Sequence, residues 1–83
     1  MRKYRNKHLV EAMRWAEDSD AAREAFATWF EMHDMIFETR GSVVCLPECT
    51  GLVPLGNWIV FDRKALTFFG MYHDEFKDTY EAA

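Results

Sequence analysis

The sequence predicts a small two-layer α+β domain, and three features lead to that class. Ala22, Ala25, Phe26, Trp29, Phe30 and His33 recur at the i, i+3, i+4, i+7 spacing of a helix that is apolar on one side. After Met35 the period changes, because "MIFETR", "SVVCL", "NWIVF" and "LTFFGMY" are short stretches rich in β-branched and aromatic residues. The turn-formers between them leave connections too short for anything but antiparallel neighbours. One main helix and four or five short strands close a core when the helix lies across one face of the sheet.

Taken in order, the chain opens with a basic arm, residues 1–7, carrying Arg2, Lys3, Arg5 and Lys7. "HLVEAMRW" follows as a strand that places Leu9, Glu11, Met13 and Trp15 on one face. Ser19 and Asp20 are N-cap candidates for the main helix, about residues 20–33, with Glu24, Thr28 and Glu31 on its wet side. Gly41-Ser42 reads as a hairpin turn, residues 47–51 as a loop, and Asp62 to Ala65 as a second hairpin turn. In "GLVPLGNWIVF", Gly56 supplies the positive φ of a type II turn after Pro54 and Leu55, so Trp58 begins a strand. The tail "HDEFKDTYE" predicts a short helix with Asp74 as N-cap and Phe76 and Tyr80 on one face.

At 83 residues this is one domain, 1–83, and a chain of that size buries only about 60–65% of its unfolded surface. A composition that is 49% hydrophobic and 16% aromatic offsets the small size and argues for a packed core rather than disorder. Charges interrupt every apolar run before it could span a bilayer, and the first residues lack the pattern of an export leader, so no membrane partner is expected. Cys45 and Cys49 are too few for a disulfide scaffold and are expected as reduced thiols in a cytosol. The net charge of −4 fits neither a basic nucleic-acid binder nor a strongly acidic mimic of DNA.

Three stretches together resemble a family of short bacteriophage and prophage proteins of unassigned function. "KYRNKHLVEAMRW" is similar to a family opening of the form Lys-Tyr-Arg followed by Glu-Ala-x-x-Trp, "PLGNWIV" to a Pro-Gly-Asp-Trp-Ile corner, and "DEFKDTYE" to an Asp-x-Phe-x-x-Thr-Tyr-Glu ending. His8 stands where the family has proline, Pro54 lies one place early, Asn57 replaces the aspartate, and "GMYH" replaces a cysteine-containing segment. The resemblance implies a phage or prophage origin, hence the host cytoplasm as location, and carries over no catalytic residue.

Glu11 shares its predicted strand face with Leu9, Met13 and Trp15, where desolvation would raise its pKa toward that of a general acid or base. The competing readings are that a sheet edge or fraying end leaves Glu11 wet, or that it is a structural carboxylate paired with the basic arm, for instance Arg5. Cys45 and Cys49 with His33 or His73 offer ligand types for zinc, but the paired spacing of a structural zinc site is missing, and Cys45 reads as a small core residue. His33-Asp34 and His73-Asp74 fall at element boundaries, where exposed polar groups and caps are normal. No phosphate loop, dinucleotide fingerprint, nucleophile elbow or metalloprotease motif is present, so no cofactor, metal or enzymatic activity is expected.

The aromatics outnumber what one core is expected to hide, which makes Trp58, Phe61, Phe68, Phe69 and Tyr72 candidates for a partner surface on the sheet face that the main helix leaves open. The alternative is that the C-terminal helix and the basic arm cover that face. These readings converge on a non-enzymatic accessory protein that docks a host protein through exposed aromatics and acidic helix positions. A homo-oligomeric or virion component is the second reading, and a nucleic-acid binder using the basic arm, against the acidic remainder of the chain, is the third.

Overall fold

The Ser19 hydroxyl accepts the Ala22 N–H at 3.1 Å and starts helix α1 (Asp20–Glu31), as the sequence predicts. Asp20 in the first turn suits the helix dipole, and the absence of glycine and proline lets the helix run on. It stops at Glu31, short of residue 33, because Asp34 turns left-handed at φ 59°. The Asp34 N–H then reaches the Glu31 carbonyl and the Met35 N–H reaches that of Phe30, both at 3.0 Å, a Schellman end with aspartate in the usual glycine position.

The computed structural model describes residues 2–5, 9–47 and 51–82, with side chains described for 10–47 and 51–80. The strands are β1 (Arg2–Arg5), β2 (Leu9–Arg14), β3 (Glu38–Arg40), β4 (Val43–Cys45), β5 (Leu52–Val53), β6 (Trp58–Asp62), β7 (Thr67–Met71) and β8 (Glu81–Ala82), and the second helix is α2 (His73–Thr79). They form an α+β domain whose strands divide between two antiparallel sheets. The larger is built on β7-β6-β2 and extended by β1 and β8; the smaller runs β3-β4-β5.

Several local expectations are corrected. Four of the arm's residues, Arg2–Arg5, form β1, an internal strand between β2 and β8, because backbone groups beside an open sheet edge gain hydrogen bonds whatever the side chains. Lys7 lies outside the described residues. Only Glu38–Arg40 of "MIFETR" is strand, and the loop after β6 is Arg63–Leu66, not Asp62 to Ala65. There the Asp62 carboxylate accepts the Lys64 and Ala65 N–H groups, and Leu66 takes φ 58°. Tyr72, not Asp74, is the N-cap of α2, and Asp74 falls in its first turn.

Register sorts the large sheet into two faces. Glu11, Met13, Ile59, Phe61 and Phe68 meet α1, where Phe26, Trp29 and Phe30 are buried; Phe30 stacks on Phe68 at 4.1 Å and Trp29 meets its edge at 5.1 Å. Val10, Ala12, Trp58, Val60 and Phe69 lie on the opposite face, where α2 supplies Phe76. The small sheet joins the first core through Val44, Leu46 and Val53. It approaches the large sheet at Gly70, where a Cβ would sit 2.8 Å from the Val53 Cγ2. The absence of a side chain at Gly70 is thus what lets β5 pack over β7.

Gly70→Ala is accordingly expected to lower stability by about 1–3 kcal/mol through overpacking. Urea unfolding of the single variants and of Gly70→Ala/Val53→Ala should show strong coupling, with the double variant less destabilised than the sum of the two.

Candidate functional site

The corner that opens β6 is a geometric device. Gly56 has φ 93° and the Asn57 N–H returns to the Pro54 carbonyl, as the expected type II turn requires. The corner is fastened to the end of β2: the Gly56 N–H donates to the Trp15 carbonyl at 2.7 Å, the Trp15 N–H to that of Asn57 at 2.9 Å, and the Arg14 Nε to that of Gly56 at 2.9 Å. Asn57 Oδ1 accepts the first N–H of α2, from His73, and the Trp58 indole N–H donates to His73 Nδ1 at 2.9 Å. Since an indole nitrogen only donates, His73 carries no proton on Nδ1 in this arrangement. Phe76 stacks on Trp58 with ring centroids 3.9 Å apart.

The five aromatics expected on a partner surface therefore separate. Phe61 and Phe68 are core residues, each 3% exposed, because α1 covers their face. Trp58 and Phe69 are half-buried, packed against the cluster that holds Phe76. Tyr72 alone of the five is largely exposed, at 71%. The aromatic surplus is absorbed by α2, which gives the sheet a covered second face.

Glu11 is buried, and its Oε1 accepts from the Trp29 indole N–H at 2.8 Å and pairs with His33 Nε2 at 2.9 Å. His33 in turn lies flat against Phe61, ring centroids 3.7 Å apart. Burial pushes the Glu11 carboxyl up, but the hydrogen bonds from Trp29 and His33, with the charges of His33 and Arg63, outweigh it and hold the group below its ordinary value. Of the readings open for Glu11, the raised pKa of a general acid or base is not what these surroundings produce: the carboxylate stays ionised and ties α1 to the sheet. Its described partners come from α1 and the turn after it, and the basic-arm side chains lie outside the described ones.

A second polar network holds the N-terminal end of α1 to the β3-β4 hairpin. Arg23 grips Asp18 through Nε at 2.6 Å and Nη2 at 3.0 Å, reaches Thr39 Oγ1 at 2.8 Å and the Gly41 carbonyl at 2.9 Å, and Ser42 donates to Asp18 at 2.7 Å. These hydrogen bonds, from Arg23 foremost and then Ser42, hold the Asp18 carboxyl down at about 2.

Neither histidine joins Cys45: His33 is engaged with Glu11 and His73 with Trp58, on opposite faces of the large sheet. Cys45 is half-buried and not in a disulfide, and Cys49 lies outside the described residues. Among the described residues no cluster of histidine, cysteine and carboxylate is arranged for a metal.

A further surface is the outer face of the small sheet. Cross-strand register aligns Glu38, Cys45 and Leu52 in one row while Val44 and Val53 point to the core. Leu52 is 66% exposed and Ile36, just before β3, is 75% exposed. Both line a hollow of about 740 Å³ floored by Met35, Cys45 and Leu46, with Asp34, Glu38 and Arg40 also on its walls. Sequence reading missed Leu52 and Ile36: β5 is two residues long, too short to show a period, and Ile36 sits in a stretch read as strand. The available signal was the pair of apolar residues, Leu52 and Val53, directly after the loop read at 47–51.

Two outcomes test the polar framework. Glu11→Leu leaves the buried Trp29 indole N–H without its acceptor and should cost about 1–3 kcal/mol in chemical unfolding. Asp18 is depressed from its ordinary 3.8 to about 2, so its contribution is present above the higher value and is lost as pH falls through the lower one. Urea midpoints should therefore drop between pH 5 and pH 2 in the parent chain, and Asp18→Asn should flatten that part of the profile.

No helix among the described residues is long and apolar enough to cross a membrane. Compared with known proteins, the chain matches no family model, no curated protein and no solved structure.

Proposed function

We propose that the chain is a non-enzymatic accessory protein of phage or prophage origin that docks a host protein in the host cytoplasm, in host takeover or in counteracting a defence. The observation that carries the docking reading is the exposed pair Ile36 and Leu52 at the hollow on the small sheet's outer face. Large apolar side chains held beside a concavity are the anchors from which protein interfaces draw most of their energy. Among the described residues that line the hollow, the carboxylates Asp34 and Glu38 outnumber the one cation, Arg40, which suits a partner carrying an apolar side chain flanked by lysine or arginine. The phage origin rests on the resemblance of the two ends of the chain; the polar clusters of the fold, each closed upon itself, favour binding over catalysis.

Capture from host lysate by the tagged chain, with bound proteins identified by mass spectrometry, tests the reading. A specific protein retained by the parent chain and lost with Ile36→Asp or Leu52→Asp, both exposed positions where folding should survive, is the expected outcome. Retention that is indifferent to both substitutions removes the site, and no specific capture removes the docking function.

A further inference from the structure

We propose that two copies of the chain join edge to edge through β7, in an antiparallel two-fold pairing that turns two sheets into one continuous sheet. The edge itself does not include Ile36, although the groove beside it shares Leu46, Gly51 and Leu52 with the hollow, and the pairing needs no host partner.

β7 ends the large sheet and pairs with β6 alone. The direction of its free groups follows from the ladder. The Trp15 N–H donates to the Asn57 carbonyl, so residue 57 turns its backbone toward β2, and the alternation sends Trp58, Val60 and Asp62 toward β7. Their partners Met71, Phe69 and Thr67 face inward, which leaves Phe68 and Gly70 with N–H and C=O pointing off the sheet. No turn or loop backbone bond among the described residues reaches those groups. Open edges are normally guarded by charge, proline or brevity. Thr67–Met71 has none of these, and at five residues it is longer than the other edge strands, β3, β5 and β8.

The edge is also complementary to itself. Antiparallel pairing through Phe68 and Gly70 sets Phe69 on the two-fold axis, with Phe68 of each copy bonded to Gly70 of the other. The same register brings Leu66 of one copy opposite Tyr72 of the other. Leu66 is 65% exposed and held at φ 58°, a conformation that costs a leucine energy, and Tyr72 is 71% exposed on the lip of a groove of about 580 Å³ beside Gly70 and Met71. It also carries the exposed turn Arg63-Lys64 of one copy alongside the first turn of α2 in the other, where Asp74 and Glu75 are exposed. Cations thus lie at one end of β7 and carboxylates at the other, the arrangement an isologous contact needs.

Sedimentation equilibrium at low salt is expected to give a dimer at about 100 μM chain. Lys64→Glu and Asp74→Lys should each raise the dissociation constant about five- to tenfold, since each contact occurs twice in the dimer, and the two substitutions together should restore it. Leu66→Gly, which relieves the positive φ and should unfold at higher urea, should nonetheless weaken the dimer. Amide exchange at Phe68 and Gly70 should slow as concentration rises, with Phe69 unchanged. A chain that stays monomeric at that concentration overturns the proposal, as does a dimer without protection at Phe68 and Gly70 or a charge swap that fails to restore association.

Discussion

The Trp15 indole is fully buried, and its N–H donates to the Ser42 carbonyl at 2.7 Å. Its backbone holds the Pro54–Asn57 corner through both N–H and C=O, and its ring meets Phe26 of α1 edge-on at 5.4 Å. One residue, through backbone and side chain together, thereby ties the end of β2, the start of β6, the main helix and the β3-β4 hairpin. A buried indole without its acceptor is costly, so the hairpin cannot move away while the tryptophan stays inside. The Arg23–Asp18–Ser42 network fastens the same hairpin from outside, where water weakens each bond and geometry rather than strength makes it useful.

With Trp15 fixed, the position of the second sheet follows. β5 comes to lie over β7, and only a glycine at residue 70 leaves room for Val53. The consequence is asymmetric: the small sheet turns Val44 and Val53 inward and shows Leu52 outward, with Ile36 just before it. The exposed pair Ile36 and Leu52 is therefore aliphatic and lies on or just before the smaller sheet. The aromatic strands are closed on one face by α1 and on the other by α2, through the Trp58–Phe76 stack and the bond from Trp58 to His73.

Polar groups in this core act as fasteners. Glu11 has the burial that could have made it an acid, yet two donors converge on one of its oxygens and keep it ionised. A buried carboxylate so satisfied holds α1 at one angle to β2. The direction of its pKa depends on which side chains α1 places opposite, so desolvation alone was an insufficient guide.

How much was legible in the chain depends on the range of the interaction. The helix from Asp20, the Ser19 cap, the Gly41-Ser42 hairpin and the Gly56 turn are set by residues within a few positions of one another, and each could be read directly. The face shared by Glu11 and Met13 follows from strand alternation alone. The early end of α1 at Asp34, the recruitment of Arg2–Arg5 into a strand, and the pairing of β5 with β4 rest on backbone groups that neighbours of no special sequence can satisfy. The partners of Glu11, 18 and 22 positions away, the cover over Trp58 from His73 and Phe76, and the exposure of Leu52 are decided by which surfaces remain dry once two sheets and two helices meet. Local propensity carries no record of that outcome, since burial belongs to the assembled layers and not to any one strand.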